Sequence, residues 1–214
     1  MLSIEEARTW YPSQDPVHDF NHVLRVYRLA QRLALSEGAD LEIVLAAALL
    51  HDAQGEQGSG KSDKSRLEHH HTSADIAAEV LVAKGWPDER VKAVQHCIRA
   101  HRFRDDREQP QTKEAKVLFD ADKLDAIGAI GVARAIAYAA RAGQPAYAQP
   151  SQQFITSGVT EPGEPHSAYH EYLFKLQKLK DRLFTESARA LAEERHRFMT
   201  EYFERLVEEV NGDR

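Results

Sequence analysis

The chain has 214 residues and a mass of 24.2 kDa, a size typical of one globular domain, and 42% hydrophobic residues suffice for a substantial core. Its net charge of -6 argues against an extended nucleic-acid surface, which needs clustered Lys and Arg. The single cysteine, Cys97, excludes an internal disulfide and a cysteine-based zinc site. Because no signal-peptide pattern opens the chain and no run approaches about 20 apolar residues, we expect a cytoplasmic protein without a membrane partner.

The first part of the chain is predicted to be helical. A capping-box pattern at Ser3 starts a short helix, and apolar residues three and four apart predict an amphipathic helix over residues 17–35. His22 lies near the start of that helix. An apolar helix over residues 41–51 follows, and it closes on His51 and Asp52.

Residues 54–71 form the most polar stretch of the chain, and its glycines predict a flexible loop beside His51 and Asp52. Within it, residues 55–62 match the phosphate-binding pattern G-x-x-x-x-G-K-S, so a P-loop ATPase is the main alternative interpretation. Such a loop must follow a strand in a parallel sheet, whereas the preceding residues are rich in Ala and Leu. We interpret the match as mostly coincidental, although Lys61 would still make this loop cationic.

Helical patterns continue to the C-terminus. They cover residues 76–84, 88–101, 112–140 with glycines at 128 and 131, and two segments after His166. Four prolines between residues 143 and 165 indicate a long surface loop. The sequence therefore predicts an all-α protein of about eight helices, organised as one domain over residues 1–214. The charged C-terminal helices are either solvated surfaces or the face of a homodimer, and the sequence does not decide between them.

Four potential metal ligands stand out: His22, the adjacent pair His51 and Asp52, and Asp122. Two imidazoles and two carboxylates suit an octahedral divalent ion such as Mn, Mg, Fe, Co or Ni, and they leave positions for water and substrate. Taken singly, each residue has an ordinary structural explanation, such as a helix-terminal histidine interacting with the helix dipole. Only the ordered set favours a catalytic metal.

The order His, His-Asp and a distant Asp resembles the HD superfamily of metal-dependent phosphohydrolases. The stretch Asp-Ala-Asp-Lys-Leu-Asp-Ala-Ile-Gly from Asp120 is similar to the segment that carries the last ligand in one branch of small bacterial HD hydrolases. The resemblance runs from about residue 18 to about residue 203. It implies a helical HD-domain bundle that binds its metal through His22, His51, Asp52 and Asp122 and acts on phosphate esters or nucleotides.

The expected reaction is attack of metal-activated water on phosphorus, most plausibly in a nucleotide. The small HD hydrolases suggest that nucleoside triphosphates are cleaved to monophosphate and pyrophosphate. Asp52 is expected to steer the water, and Glu56 is a candidate proton shuttle. Since the chain is acidic overall, local cations must receive the phosphate, and the candidates flanking the ligands are Arg25, Lys61, Arg66, Arg102 and Lys123.

Two further interpretations stay open. A catalytically silent HD domain would sense a nucleotide without turnover. A two-iron oxygenase would need more histidines, and His71, His96 and His101 are the available ones, although we favour a site with one metal.

Overall fold

The computed structural model describes residues 2–11, 20–53, 63–102 and 108–214, and for residues 63–69 it describes only the backbone. Within these ranges the protein is all-α, with ten α-helices, three short 3-10 helices and no strand. The α-helices are α1 (Ile4–Ala7), α2 (Phe20–Glu37), α3 (Leu41–Leu50), α4 (Asp63–Ala83), α5 (Asp88–Arg99), α6 (Lys113–Asp125), α7 (Gly128–Arg141), α8 (Gln152–Ser157), α9 (Ala168–Phe174) and α10 (Glu186–Asn211).

The helix α3 forms the centre of its part of the fold. Every residue from Ile43 to Leu50 is buried, and α2, α4 and α5 pack against this helix. Asp40 starts α3, since its carboxylate accepts hydrogen bonds from the backbone N–H groups of Glu42 and Ile43. A helix enclosed on all sides needs no polar face, which explains its unbroken apolar sequence.

The helix predicted over residues 76–84 starts earlier than expected, because α4 begins at Asp63, within the polar stretch, and continues to Ala83. The P-loop match over residues 55–62 lies outside the described residues, but the segment before it is described. The segment before it is the helix α3, and the described ranges contain no strand on which a P-loop could be mounted. The all-α fold therefore argues against the P-loop ATPase.

The helix predicted over residues 112–140 is two helices, because the backbone turns between Asp125 and Gly128. Gly128 has a φ of +76°, a conformation that side chains disfavour. At Gly131 a Cβ would lie 2.3 Å from the carbonyl oxygen of Ala126, so this glycine permits the tight turn. Together with α8, which lies inside the predicted loop, this break accounts for the two helices beyond the expected eight.

The chain divides into two compact units. The first unit extends to Asp122 and includes Phe184–Ala188, and the second comprises Lys123–Leu183 and Arg189–Arg214. In the second unit α7 packs against α9, and the rings of Tyr172 and Phe203 stack with centroids 4.4 Å apart. A single domain over residues 1–214 stays a prediction. Among the described helices, none has the length and apolar character needed to cross a bilayer.

Candidate metal centre

Three helices of the first unit bring the predicted ligands together. His22 comes from α2, His51 and Asp52 follow the end of α3, and Asp122 lies in α6. Both imidazoles are buried, whereas the Asp52 and Asp122 side chains are 18% and 16% exposed. Donors buried on one side with carboxylates open on the other allow an ion or substrate to enter.

The donor atoms of these residues converge. Nε2 of His51 lies 3.4 Å from Nε2 of His22 and 3.5 Å from Oδ2 of Asp52. The His22 Nε2 atom lies 3.8 Å from the same Asp52 oxygen and 3.4 Å from Oδ1 of Asp122. Among the described residues, donors of His22, His51 and Asp52 all lie within 4.8 Å of one another. Asp122 therefore joins this group through its approach to His22.

Hydrogen bonding fixes which nitrogen of His51 faces the cluster. Its Nδ1 lies 2.9 Å from the carbonyl oxygen of Ala48, which can only accept, so Nδ1 carries the proton. Burial lowers the pKa of His51 to about 4, and the neighbouring charges do not restore it. At neutral pH the ring is uncharged, and Nε2 presents a lone pair to its neighbours.

This arrangement fits a divalent metal ion. Donors that each lie about 2.0–2.2 Å from one ion are about 3–4 Å apart, which matches the separations between these atoms. Without a cation or a shared proton, lone pairs of two imidazoles and two carboxylates would repel one another in a partly desolvated site. The assignment of all four residues as metal ligands stays a prediction, and their nitrogen and oxygen donors suit several divalent ions.

Of the three additional histidines, the structure brings His101 to the cluster. Its Nε2 lies 3.7 Å from Oδ1 of Asp52, its ring meets that of His51 edge to face, and its Nδ1 donates to the carbonyl oxygen of Ile98. His96 is engaged elsewhere, since Nδ1 contacts Glu108 and Nε2 accepts from the backbone of residue 111. His71 is exposed and packs on the ring of His70.

The predicted substrate-binding cations are only partly located. Arg25 lies one turn after His22 in α2, and Arg102 follows His101; both are partly exposed. Lys123 is 9% exposed and belongs to the second unit. Lys61 and the candidate proton shuttle Glu56 lie outside the described residues, as does the side chain of Arg66. Their contacts with a substrate stay predictions.

Sequence reasoning missed the roles of two residues near this centre. The Tyr11 hydroxyl donates to the carbonyl of Leu49 over 2.9 Å, at the end of α3, and burial raises its pKa well above the ordinary value. The buried Asp120 accepts hydrogen bonds from the backbone of Phe184 and from the backbone and hydroxyl of Thr185. Neither contact leaves a local signal, because the partners are distant in sequence.

Asp125, one turn after Asp122, has a cationic partner. Its buried carboxylate lies 2.7 Å from the guanidinium of Arg134. Both residues belong to the second unit, where this pair links the end of α6 to α7.

Comparisons with known proteins agree with this geometry. The family model for the HD domain matches residues 19–127, just over half of the chain. The uncharacterized protein YpgQ of Bacillus subtilis is 37% identical over 97% of this chain and 94% of its own length. The crystal structure of YpgQ in complex with ADP superposes with a TM-score of 0.73 and covers 98% of this chain and 99% of YpgQ.

A second solved relative is described as an HD-superfamily hydrolase. It comes from Bacillus thuringiensis, is 30% identical, covers 97% of this chain and 96% of its own, and has a TM-score of 0.69. The match of the family model, the near-complete overlap with these relatives and the convergence of His22, His51 and Asp52 lead to one conclusion: this chain belongs to the HD-domain family.

Proposed function

We propose that this protein is a divalent-metal-dependent phosphohydrolase of nucleotides, and that it cleaves nucleoside triphosphates to monophosphate and pyrophosphate. The observation that carries the proposal is the convergence of the His22 and His51 nitrogens with the Asp52 carboxylate, with the proton of His51 held on the far side of the ring. The ADP bound by the related YpgQ supports a nucleotide as the small-molecule partner.

A divalent ion in this centre would lower the pKa of a water molecule and withdraw charge from a phosphoryl oxygen. His22, His51, Asp52 and Asp122 are the residues that would hold it. We assign Oδ2 of Asp52, the oxygen near both imidazoles, to the ion and Oδ1 to orienting the water. Attack forms an oxygen–phosphorus bond and breaks the bond to the leaving pyrophosphate.

The water must lose a proton in this reaction. Because Nδ1 of His101 donates to the carbonyl oxygen of Ile98, its Nε2 is the nitrogen that can accept this proton, on the side of Asp52 Oδ1. Glu56, four residues after Asp52, is the alternative acceptor that the sequence suggests. We also propose that the whole chain forms one HD-type domain, and that it acts in the cytosol.

The direct test is turnover of a nucleotide panel with Mn, Mg, Co, Ni and Fe. Separate assays for phosphate and pyrophosphate identify the bond that is cleaved. We expect pyrophosphate from triphosphates, and no product from the Asp52→Asn variant. Hydrolysis of monophosphates alone would show that the triphosphate assignment is wrong while leaving the metal chemistry in place. Nucleotide binding without product for every metal would instead identify a silent sensor.

A further inference from the structure

The second unit contains a cavity of about 480 Å³ that the proposed reaction does not use. It lies between α8, the loop before it, α9 and the end of α10. Its walls include four aromatic rings, those of Tyr147, Phe154, Tyr169 and Phe174. A cavity of this size, lined by rings with a few polar groups, is typical of sites for small molecules.

The helices α8 and α9 form two walls of the cavity. They are connected near both ends of α8, by hydrogen bonds at one end and by close packing at the other. At one end Ser151, which caps α8, donates its backbone N–H and its hydroxyl to Glu164, and Glu164 also contacts Nε2 of His170 in α9. At the other end Gly158 has a φ of +73°, and a Cβ there would lie 2.6 Å from the ring of Phe174. The helices α8 and α9 are therefore linked on both sides of the gap between them.

The charge of the lining is unlike that of the whole chain. The sequence has 34 acidic residues, but the described residues that line the cavity include no Asp or Glu and one cation, Lys178. Its ammonium group lies 5.6 Å from the centre of the Phe174 ring. The lining thus offers aromatic faces and one positive charge.

Lys178 also differs from its neighbours along the chain. Lys175 pairs with Glu171 over 3.1 Å, and Lys180 pairs with Glu193 over 3.3 Å. Among the described residues, no carboxylate lies within ion-pair distance of Lys178. The lysine that faces the cavity is therefore the one whose charge is not neutralised within this segment.

We propose that this cavity is a binding site for a small aromatic anion. The rings supply stacking surfaces, the Gln149 and Gln177 amides supply polar contacts, and Lys178 attracts the negative group. This site goes beyond the proposed hydrolysis. Every lining residue belongs to the second unit, whereas the predicted metal ligands belong to the first.

The test uses two fluorescent probes with the full-length protein in the presence of a chelator. Anilinonaphthalene sulfonate is an aromatic anion, and phenylnaphthylamine is its uncharged counterpart. We expect the anion to bind at one site per chain, and Lys178→Gln to weaken it by about tenfold or more without weakening the uncharged probe. Lys178→Arg should retain binding. Lys175→Gln removes a paired lysine outside the lining, and should leave the affinity unchanged.

A second pair of variants locates the probe. Ile155 lines the cavity and Val159 does not, and both side chains are 59% exposed, so neither substitution should disturb the core. Ile155→Trp should fill the cavity and remove binding of both probes, whereas Val159→Trp should retain it. Asp52→Asn should also leave the affinity intact. Equal binding by Lys178→Gln and the parent, retention by Ile155→Trp, or loss in Asp52→Asn would overturn the proposal.

Discussion

Each unit of this protein buries an imidazole beside a carboxylate, and the two arrangements differ in which imidazole nitrogen carries the proton. In the first unit Nε2 of His51 faces Oδ2 of Asp52 at 3.5 Å, and its proton is on the other nitrogen, at Ala48. In the second, Nε2 of His170 lies 3.0 Å from Oε1 of Glu164, and Nδ1 lies 2.7 Å from the hydroxyl of Ser167.

The His170 cluster is complete within the protein. Desolvation alone would raise the pKa of Glu164, but hydrogen bonds from Ser151, Glu161 and His170 outweigh it and lower the pKa to about 2. Glu164 is therefore an acceptor, His170 donates to it from Nε2, and the Ser167 hydroxyl can donate to Nδ1. A buried histidine with a carboxylate is thus not itself a metal site. What distinguishes the His51 centre is that lone pairs converge there, an arrangement that a bound cation would stabilise.

The largest effect should follow from changing one carboxylate in each unit. Asp52→Asn removes a predicted ligand, and we expect bound metal to be lost and turnover to fall by about a thousandfold or more. Glu164→Gln is the matched variant, and should keep both. Metal analysis by mass spectrometry, together with the pyrophosphate assay, measures these outcomes. Full metal content in Asp52→Asn would contradict the assignment of the centre.

A smaller loss is expected at His101, whose Nε2 lies 3.7 Å from Asp52. Groups that orient a ligand typically contribute 10–100-fold to metal affinity, so His101→Ala should weaken metal binding by about that factor. His96→Ala, in the last turn of α5, is the control, since His96 binds Glu108. Metal titration should give one ion per chain for the parent protein. Two ions would instead make His101 a ligand of the second.

The melting temperature of the metal-free protein should also distinguish the His51 centre from the His170 cluster. With a chelator present, we expect Asp52→Asn to melt at the parent temperature or above it, because the substitution relieves repulsion among His22, His51 and the carboxylate. Glu164→Gln should melt lower, because it weakens four hydrogen bonds. Metal at a hundred times its Kd should then add about 2.7 kcal/mol to the parent and to Glu164→Gln, and nothing to Asp52→Asn. A destabilised apo Asp52→Asn would contradict this difference.

The smallest expected effect is the acid dependence of the His170 cluster. The pKa of Glu164 falls from 4.5 to about 2 on folding, so its contribution to stability is present above pH 4.5 and is lost as the pH falls towards 2. The difference in unfolding free energy between the parent and Glu164→Gln should therefore shrink over that interval, as measured by urea unfolding at several pH values. A difference that is constant with pH would show that hydrogen bonding to the charged carboxylate is not its source.

The sequence alone predicted the all-α class and the order of the metal ligands, because both follow from the pattern of residues along the chain. The apolar run before His51 predicts a buried helix, and α3 is one, with residues 43–50 all buried. His22 was singled out only by its place in the ordered set, and the structure brings its Nε2 within 3.8 Å of Asp52. The sequence therefore indicated the family without knowledge of the fold.

Local pattern failed where polar residues form a helix or where one helix turns into another. Residues 63–71 have no apolar periodicity, yet they belong to α4, and this helix packs against α5. Apolar periodicity detects only a helix segment that buries one face, so it gives no signal for a polar segment of a helix. The break before Gly128 likewise depends on contacts of Gly131 with Ala126 that a glycine spacing alone does not reveal.

Which histidines take part in the centre was decided by the tertiary structure. His96 is in the last turn of α5 and His101 follows two residues after the helix ends, and the sequence pattern does not distinguish them. In the structure His96 contacts Glu108, whereas His101 lies near Asp52. The same holds for the direction of the His51 proton, the partner of Asp125, the contacts of Asp120 with Thr185, and the cavity beside Lys178. Helix periodicity is set by neighbours along the chain, whereas the partner of a polar atom is set by groups that only folding brings within hydrogen-bonding distance.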